Sequence, residues 1–292
     1  MSRLRDALER GEFVVTGEVA PPHGTDASAM LASARRLAPY CHALNVTDNQ
    51  AATLHMSSFA ASRILLESEF GCEPILQQTC RDRNRLALES DLLGAWALGL
   101  ENVLVVSGDD PRGGDHPGAK GVFDLDSTLL MEVVTGLNAG VDMMGVPLDG
   151  ATDFLVGGAL FPEAEPWDIQ LDRALQKVEA GAMFFQTQGV TDLEKFARAA
   201  EAIRPTGAKI IAGIVLFKSP RVVKFINERL AGMMVPPSIS DRITAAADPL
   251  DVAIDIAAEQ VAALKEIVDG VHIMPLGADD AVPRILEQAG LI

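Results

Sequence analysis

Residues 102–121 read NVLVVSGDDPRGGDHPGAKG, and this stretch decides the fold. Val103 to Val106 form a continuous apolar, mostly β-branched run, the composition of a strand buried on both faces. The run breaks at Ser107 into glycine, paired aspartates and proline, so the strand is expected to end in a loop that begins with carboxylates. A strand buried on both faces belongs to a parallel sheet clad in helices. Outward from this point the same unit recurs in both directions. Apolar runs at Phe13–Val19, Ala43–Val46, Pro74–Gln78, Phe154–Gly157, Met183–Gln186, Ile210–Val215 and Gly270–Met274 bring the strand count to eight. Helical patterns lie between them at Ala27–Leu37, Ser57–Glu69, Asn84–Leu98, Ser127–Leu137, Ile169–Ala180 and Leu193–Ile203. A block from Pro220 to Val268 is expected to hold two helices, and a last helix runs over Ala281–Gln288. Gly99, Gly181 and Gly270 read as C-terminal stops, Asp26 and Thr191 as N-caps.

Eight strand–helix units in a chain of 292 residues have the size and rhythm of a (β/α)8 TIM barrel. The competing α/β architecture is an open, doubly wound sheet, but no GxGxxG opens the first crossover, where a dinucleotide-binding sheet of that kind carries one. Residues 1–292 therefore read as one barrel domain with an amphipathic helix over about residues 2–10, undivided by any linker or low-complexity tract. The site of such a barrel is built at the C-terminal ends of its strands. Strand one brings Glu18 there, strand two Thr47, Asp48, Asn49 and Gln50, strand three Gln77, Gln78 and Thr79. Strand four brings Asp109 and Asp110, strand six Gln186, Thr187 and Gln188, strand seven Lys218 and Ser219. Walls of amides and carboxylates suit a flat, neutral heterocycle rich in donors and acceptors better than a phosphosugar.

Each candidate has a plainer reading. Glu18, inside an otherwise apolar run, is either a general acid or a structural partner for a lysine or for backbone amides. One of the two aspartates is expected to serve the turn. The five histidines show neither HxxxH nor HxH spacing and do not cluster with cysteine, which disfavours a zinc or iron site. Ser107 lacks a GxSxG elbow, which disfavours a serine hydrolase.

Composition narrows the partners. With 24 Lys and Arg against 41 Asp and Glu, the formal net charge of −17 argues against nucleic acid and against an anionic membrane surface. Cys41, Cys72 and Cys80 are odd in number and have no CxxC spacing, the pattern of reduced thiols in a cytoplasm. The opening MSRLRDALERGEF is a helix pattern and not a signal peptide, and no apolar run approaches the roughly eighteen residues of a membrane span. A soluble, cytoplasmic protein is expected.

GEVAPP at Gly17–Pro22 resembles the FEFFPP-type opening of the methylenetetrahydrofolate reductase family. QTCRDRNRLALESDLLGAWALGLENVLVVSGDDP is similar to that family's third helix, fourth strand and following loop, KVEAGAMFFQTQ to its fifth helix and sixth strand, and AGIVLFKSPRVVKFINERLAGMMVP to its seventh unit. The segments are in family order and extend from about Phe13 to Met274. The resemblance implies a barrel-only bacterial form that interconverts 5,10-methylenetetrahydrofolate and 5-methyltetrahydrofolate by flavin-dependent hydride transfer, in a ping-pong cycle. It implies Glu18 as general acid, Asp109 as the carboxylate near both pterin and flavin, and Gln188 and Gln77 as substrate contacts. Flavin contacts are implied at Thr47, Ser107, Gly108, Asp109, Gly157, Gln170 and Lys177.

The sequence departs from the family on the cofactor side. Ser107 stands where an arginine often contacts the flavin diphosphate, Gly157 where an aromatic residue is common, Phe161 where a histidine is common, and Gln170 where an acid is common. FAD is the expected cofactor, with FMN the alternative and NADH or NADPH the electron donor. The expected partners are a folate substrate, further copies of the chain in a homo-oligomer, and an electron-transfer protein if no nicotinamide serves. The alternatives are a non-redox folate-binding barrel of the methyltransferase type and a flavin-carrying subunit of a larger one-carbon complex.

Overall fold

The eight apolar runs are eight strands, each hydrogen-bonded in parallel to the next until the last pairs with the first, which closes a barrel. They are β1 (Val14–Val19), β2 (Ala43–Val46), β3 (Glu73–Thr79), β4 (Asn102–Val106), β5 (Leu155–Leu160), β6 (Phe184–Gly189), β7 (Lys209–Val215) and β8 (Gly270–Met274). The computed structural model describes residues 2–229 and 233–292. An opening helix, α1 (Arg3–Glu9), precedes the barrel, and α2 (Ser28–Leu37), α3 (Ser58–Glu67), α4 (Arg85–Ala97), α5 (Ser127–Asn138), α6 (Trp167–Glu179) and α7 (Leu193–Ile203) follow the first six strands in turn. Three helices follow β7, namely α8 (Pro220–Arg229), α9 (Pro237–Ala245) and α10 (Pro249–Leu264), and α11 (Ala281–Gln288) follows β8.

Strand side chains alternate between two cores. Those pointing outward, such as Leu44, Leu76, Val103, Val105 and Phe185, pack under the helices in one continuous cluster. The inward set at the N-terminal end of the barrel comprises Val14, Ala43, Ile75, Leu104, Leu155, Phe184 and Ile211, and Leu4, Ala7 and Leu8 of α1 complete it. The opening helix is therefore the floor of the barrel. Each leucine it buries there contributes about 1.5–3 kcal/mol. Its polar anchor is Glu73 at the start of β3, whose carboxylate accepts from the amides of Arg3 and Leu4 and from the side chains of Ser2 and Asn102.

Several sequence expectations are corrected here. Among its described residues the block from Pro220 to Val268 holds three helices and not two, because Pro237 and Pro249 each start a new one at a position where a missing N–H costs nothing. Gly270 is no helix stop, since α10 ends at Leu264 and Gly270 opens β8. Asp192, not Thr191, caps α7, accepting from the amides of Glu194 and Lys195, while Thr191 gives its amide and hydroxyl to Glu163. Strands β5 and β6 run three residues beyond Gly157 and Gln186.

Candidate active site

One step above the apolar floor the barrel interior turns polar. Asn45 of β2 donates through Nδ2 to Gln186 Oε1 of β6 at 2.7 Å and accepts from Gln77 Nε2 of β3 at 3.4 Å. His272 of β8 joins them, its Nδ1 lying 3.0 Å from Thr16 Oγ1 and 3.4 Å from Asn45 Nδ2. Glu18 sits above this layer, its side chain 16% exposed and its Oε2 3.8 Å from His272 Nε2. The layer is the base of a cavity of about 320 Å3 open at the C-terminal face, with Glu18, Gln77, Gln186, Gln188, Ser107, Gly108 and Asp109 in its wall. Larger clefts of about 470 and 850 Å3 lie beside Ile292 and Met234, but neither gathers polar side chains from the barrel interior.

The rim is held by charge. Asp48 is fully buried and accepts from the amide and hydroxyl of Thr79 and from Arg83 Nη1, at 3.0, 2.8 and 2.8 Å. Arg81 lines the same cavity, almost fully buried, with Nε and Nη2 on Asp82 and Nη1 without a partner. Gly108 is required beside it: its φ is +91°, and a Cβ there would stand 2.8 Å from Arg81 Cβ. In β6 a register shift between Gln186 and Gly189 turns Gln188 into the cavity wall, the usual effect of a bulge beside a site.

The loop after β4 separates the two aspartates. Asp109 Oδ2 accepts from Ala51 N at 3.0 Å, across the mouth, where Asn49, Ala51 and Ala52 all hold positive φ of 47°, 55° and 54°. Asp110 caps a short turn at Pro111–Gly113 and pairs with Arg112, which holds its carboxyl down at about 2 through a side-chain hydrogen bond. Asp110 is therefore the turn residue and Asp109 the cavity residue.

A second recess of about 370 Å3 opens from the first between α5 and α6, sharing Ser107, Ser127, Ala159, Phe161 and Lys177 with it. Gln170, Arg173 and Lys177 face it from α6. Lys177 Nζ donates to the carbonyl of Ala159 at 2.7 Å, and burial pushes the ammonium down to about 8, with the like charge of Arg173 adding to the effect. The amides of Thr128 and Leu129 at the start of α5 are taken by Asp126.

The structure thus brings together Glu18, Gln77, Ser107, Gly108, Asp109, Gln188 and Lys177 in one cavity and Gln170 in the adjoining recess. Thr47 and Gly157 are not in either lining. Thr47 is buried beside Asp48, and Gly157 lies in mid-strand under Phe184, whose ring atom Cζ would be 2.1 Å from a Cβ at that position. Arg81 and Arg173 were not foreseen as site residues. Arg81 follows an apolar strand by only two residues, and a proximity to Asp48 and Asp109 is not written in the sequence. Among the described residues no group of three or more His, Cys, Asp or Glu is placed to hold a metal ion, and no helix is long and apolar enough to cross a membrane.

Compared with known protein families, residues 3–290 match the model of methylenetetrahydrofolate reductase. The chain belongs to this family. Among curated methylenetetrahydrofolate reductases it is similar to methylenetetrahydrofolate reductase 2 of Schizosaccharomyces pombe, 25% identical over 319 residues that cover 99% of this chain and 47% of that protein. Methylenetetrahydrofolate reductase 2 of Saccharomyces cerevisiae is 23% identical over 242 residues, 77% of this chain and 38% of that one. The chain spans less than half the length of either reductase. Among solved structures, an uncharacterized protein from Clostridium thermocellum that binds two copies of 5-methyl-5,6,7,8-tetrahydrofolic acid aligns at a TM-score of 0.68 with 14% identity, over 98% of this chain and 97% of that one. A 2,3-dimethylmalate lyase of the PEP mutase/isocitrate lyase superfamily aligns at 0.57, also at 14% identity, over 98% of this chain and 83% of that one. Both likenesses bear on the fold alone.

Proposed function

We propose that the barrel interconverts 5,10-methylenetetrahydrofolate and 5-methyltetrahydrofolate by hydride transfer, as a cytoplasmic reductase drawing electrons from NADH or NADPH. The observation that carries this reading is the convergence of one half-buried carboxylate, Glu18, with the amides of Gln77, Gln186 and Gln188 and the carboxylate of Asp109 in one cavity of a family member. A pterin edge alternates donors and acceptors, and these side chains can meet it in pairs. Opening the methylene bridge requires a proton on the bridge nitrogen that leaves, and Glu18 is the acid placed to give it. Asp109 and Gln188 orient the ring, and the apolar floor keeps water from below.

The residues present fit a flavin. Gln170 and the hydroxyls of Ser107, Ser127 and Thr128 offer hydrogen bonds, and Arg173 and Lys177 offer positive charge to a diphosphate in the recess. Because Asp126 already takes the amides of Thr128 and Leu129, the positive charge for an anion in the recess comes from those two side chains. FAD is the proposed form and FMN the smaller alternative; when bound, the flavin supplies the hydride. The absorbance spectrum of the purified protein tests this, and a colourless protein that gains no flavin on reconstitution overturns the cofactor assignment. Glu18→Gln tests the acid. It should lower the folate half-reaction by roughly 10²–10⁴-fold and leave reduction by the nicotinamide near wild type, and equal losses in both halves would make Glu18 structural.

A further inference from the structure

His272 lies inside β8, 1% exposed, and the polar layer assigns its tautomer. Asn45 donates to Gln186 and accepts from Gln77, so its Nδ2 can only donate toward His272 Nδ1, and the hydroxyl of Thr16, able to donate or accept, is then left to donate from the other side. Nδ1 is then the bare nitrogen and Nε2 carries the proton. That Nε2 is buried and has no hydrogen-bond partner, and Glu18 Oε2 stands 3.8 Å from it. A buried donor without an acceptor is rare in a folded protein and calls for a reason.

We propose that His272 is the positioning residue of Glu18: its Nε2–H is set to receive the carboxylate that Glu18 becomes on giving up its proton. The proposal rests on the reading of Glu18 as the acid. In the step, the O–H bond of Glu18 breaks, an N–H bond forms on the folate nitrogen, and the carboxylate left behind accepts from Nε2–H. No proton leaves the imidazole. Closing the gap from 3.8 Å to about 2.8 Å needs a rotation of the glutamate's soft terminal torsion. A neutral donor suits this task better than a lysine or arginine, because a full positive charge there would draw the proton off before the folate arrived. The groups that face His272 are Thr16 and Glu18 from β1 and Asn45 from β2, while its register partner on β7 is Gly213, which has no side chain. The other charged groups of the cavity wall are Asp48, Arg81, Asp109 and Lys177.

The test combines a spectrum with a variant series. In protein labelled with ¹⁵N-histidine and free of ligands, His272 should show a proton on Nε2 and none on Nδ1, and its signal should move in Glu18→Gln. His272→Gln, which keeps an N–H near the place of Nε2, should run the folate half-reaction within a few-fold of wild type. His272→Phe, which fills the space without a donor, should slow it roughly 10–100-fold and leave reduction by the nicotinamide unchanged. In a Glu18→Gln background His272→Phe should add nothing further. If the Phe variant does not fold, His272→Asn, whose amide reaches only the Nδ1 position, should lose what His272→Gln keeps. A proton found on Nδ1, equal losses in the Gln and Phe or Asn variants, or a silent His272→Phe beside a crippled Glu18→Gln would each overturn the proposal alone. A silent Glu18→Gln would instead overturn the acid reading and the proposal with it.

Discussion

Asp109 lends one carboxylate oxygen to the amide of Ala51 and exposes the rest of the group to the cavity, whereas Asp110 is spent on its own turn and on Arg112. On the proposed function Asp109→Asn should therefore weaken folate binding and alter flavin reactivity together, since one charge would face both ligands, while Asp110→Asn should leave steady-state kinetics near wild type. Reversed severities would exchange the two roles. Lys177 makes the neighbouring recess sensitive to pH. Burial lowers its ammonium to about 8 against 10.5 for the free side chain, so between these values the unfolded chain binds the proton that the folded protein has lost. The penalty of burying that charge is thus present below about 8 and fades as the pH rises toward 10.5. A bound anion pulls the other way and favours the charged form. Flavin affinity, followed by fluorescence titration, should fall from about pH 7 to about pH 9, and Lys177→Gln should flatten that slope.

At the scale of elements, the floor helix α1 depends on one carboxylate. Burial raises the titration of Glu73, but hydrogen bonds from Arg3, Asn102, Leu4 and Ser2 outweigh it and leave the carboxyl below its ordinary 4.5. A carboxyl lowered by folding contributes stability above its unfolded value and loses it as the pH falls through the folded one. Glu73→Gln should lower stability by about 1–3 kcal/mol at neutral pH and remove part of the acid sensitivity of the melting temperature. A variant that melts like wild type at pH 7 but still loses stability in acid would place the anchor elsewhere. Elements were the legible part of this chain. The strands announce themselves because both of their faces are apolar, as at Val103–Val106, and each ends within three residues of its reading. Helix α9 escaped because two prolines open it, Pro236 at its cap and Pro237 at its first turn, in a region whose apolar spacing reads as continuous with α10. Glu18, Asp109 and Gln188 were legible as polar residues at strand ends. Asn45 and His272 were not, because they acquire their meaning only when the strands of the barrel close on one another and bring them to Gln186, itself legible at the end of its strand. Gly157 was misplaced for the converse reason, since its missing side chain makes room for Phe184 and not for a ligand.

The whole molecule is a closed ring of strands that carries its polar chemistry at one end and a helix at the other. Its three cysteines are free and buried, and burial pushes the thiols of Cys41 and Cys80 up to about 12 and that of Cys72 up as well. All three pack in the outer core under the helices and none lines the cavity, which is at odds with thiol chemistry there. The helical floor has a consequence for traffic. A tube sealed at its base is a cul-de-sac: whatever goes in must back out by the way it came, and the next visitor waits outside. Folate and nicotinamide should then jostle for one doorway, and turnover at fixed nicotinamide should rise and then decline as folate is raised, a decline that more nicotinamide relieves. Initial-rate measurements over a grid of both concentrations would show it, and saturation by folate without any decline at every nicotinamide level would mean that the two guests find separate ways in.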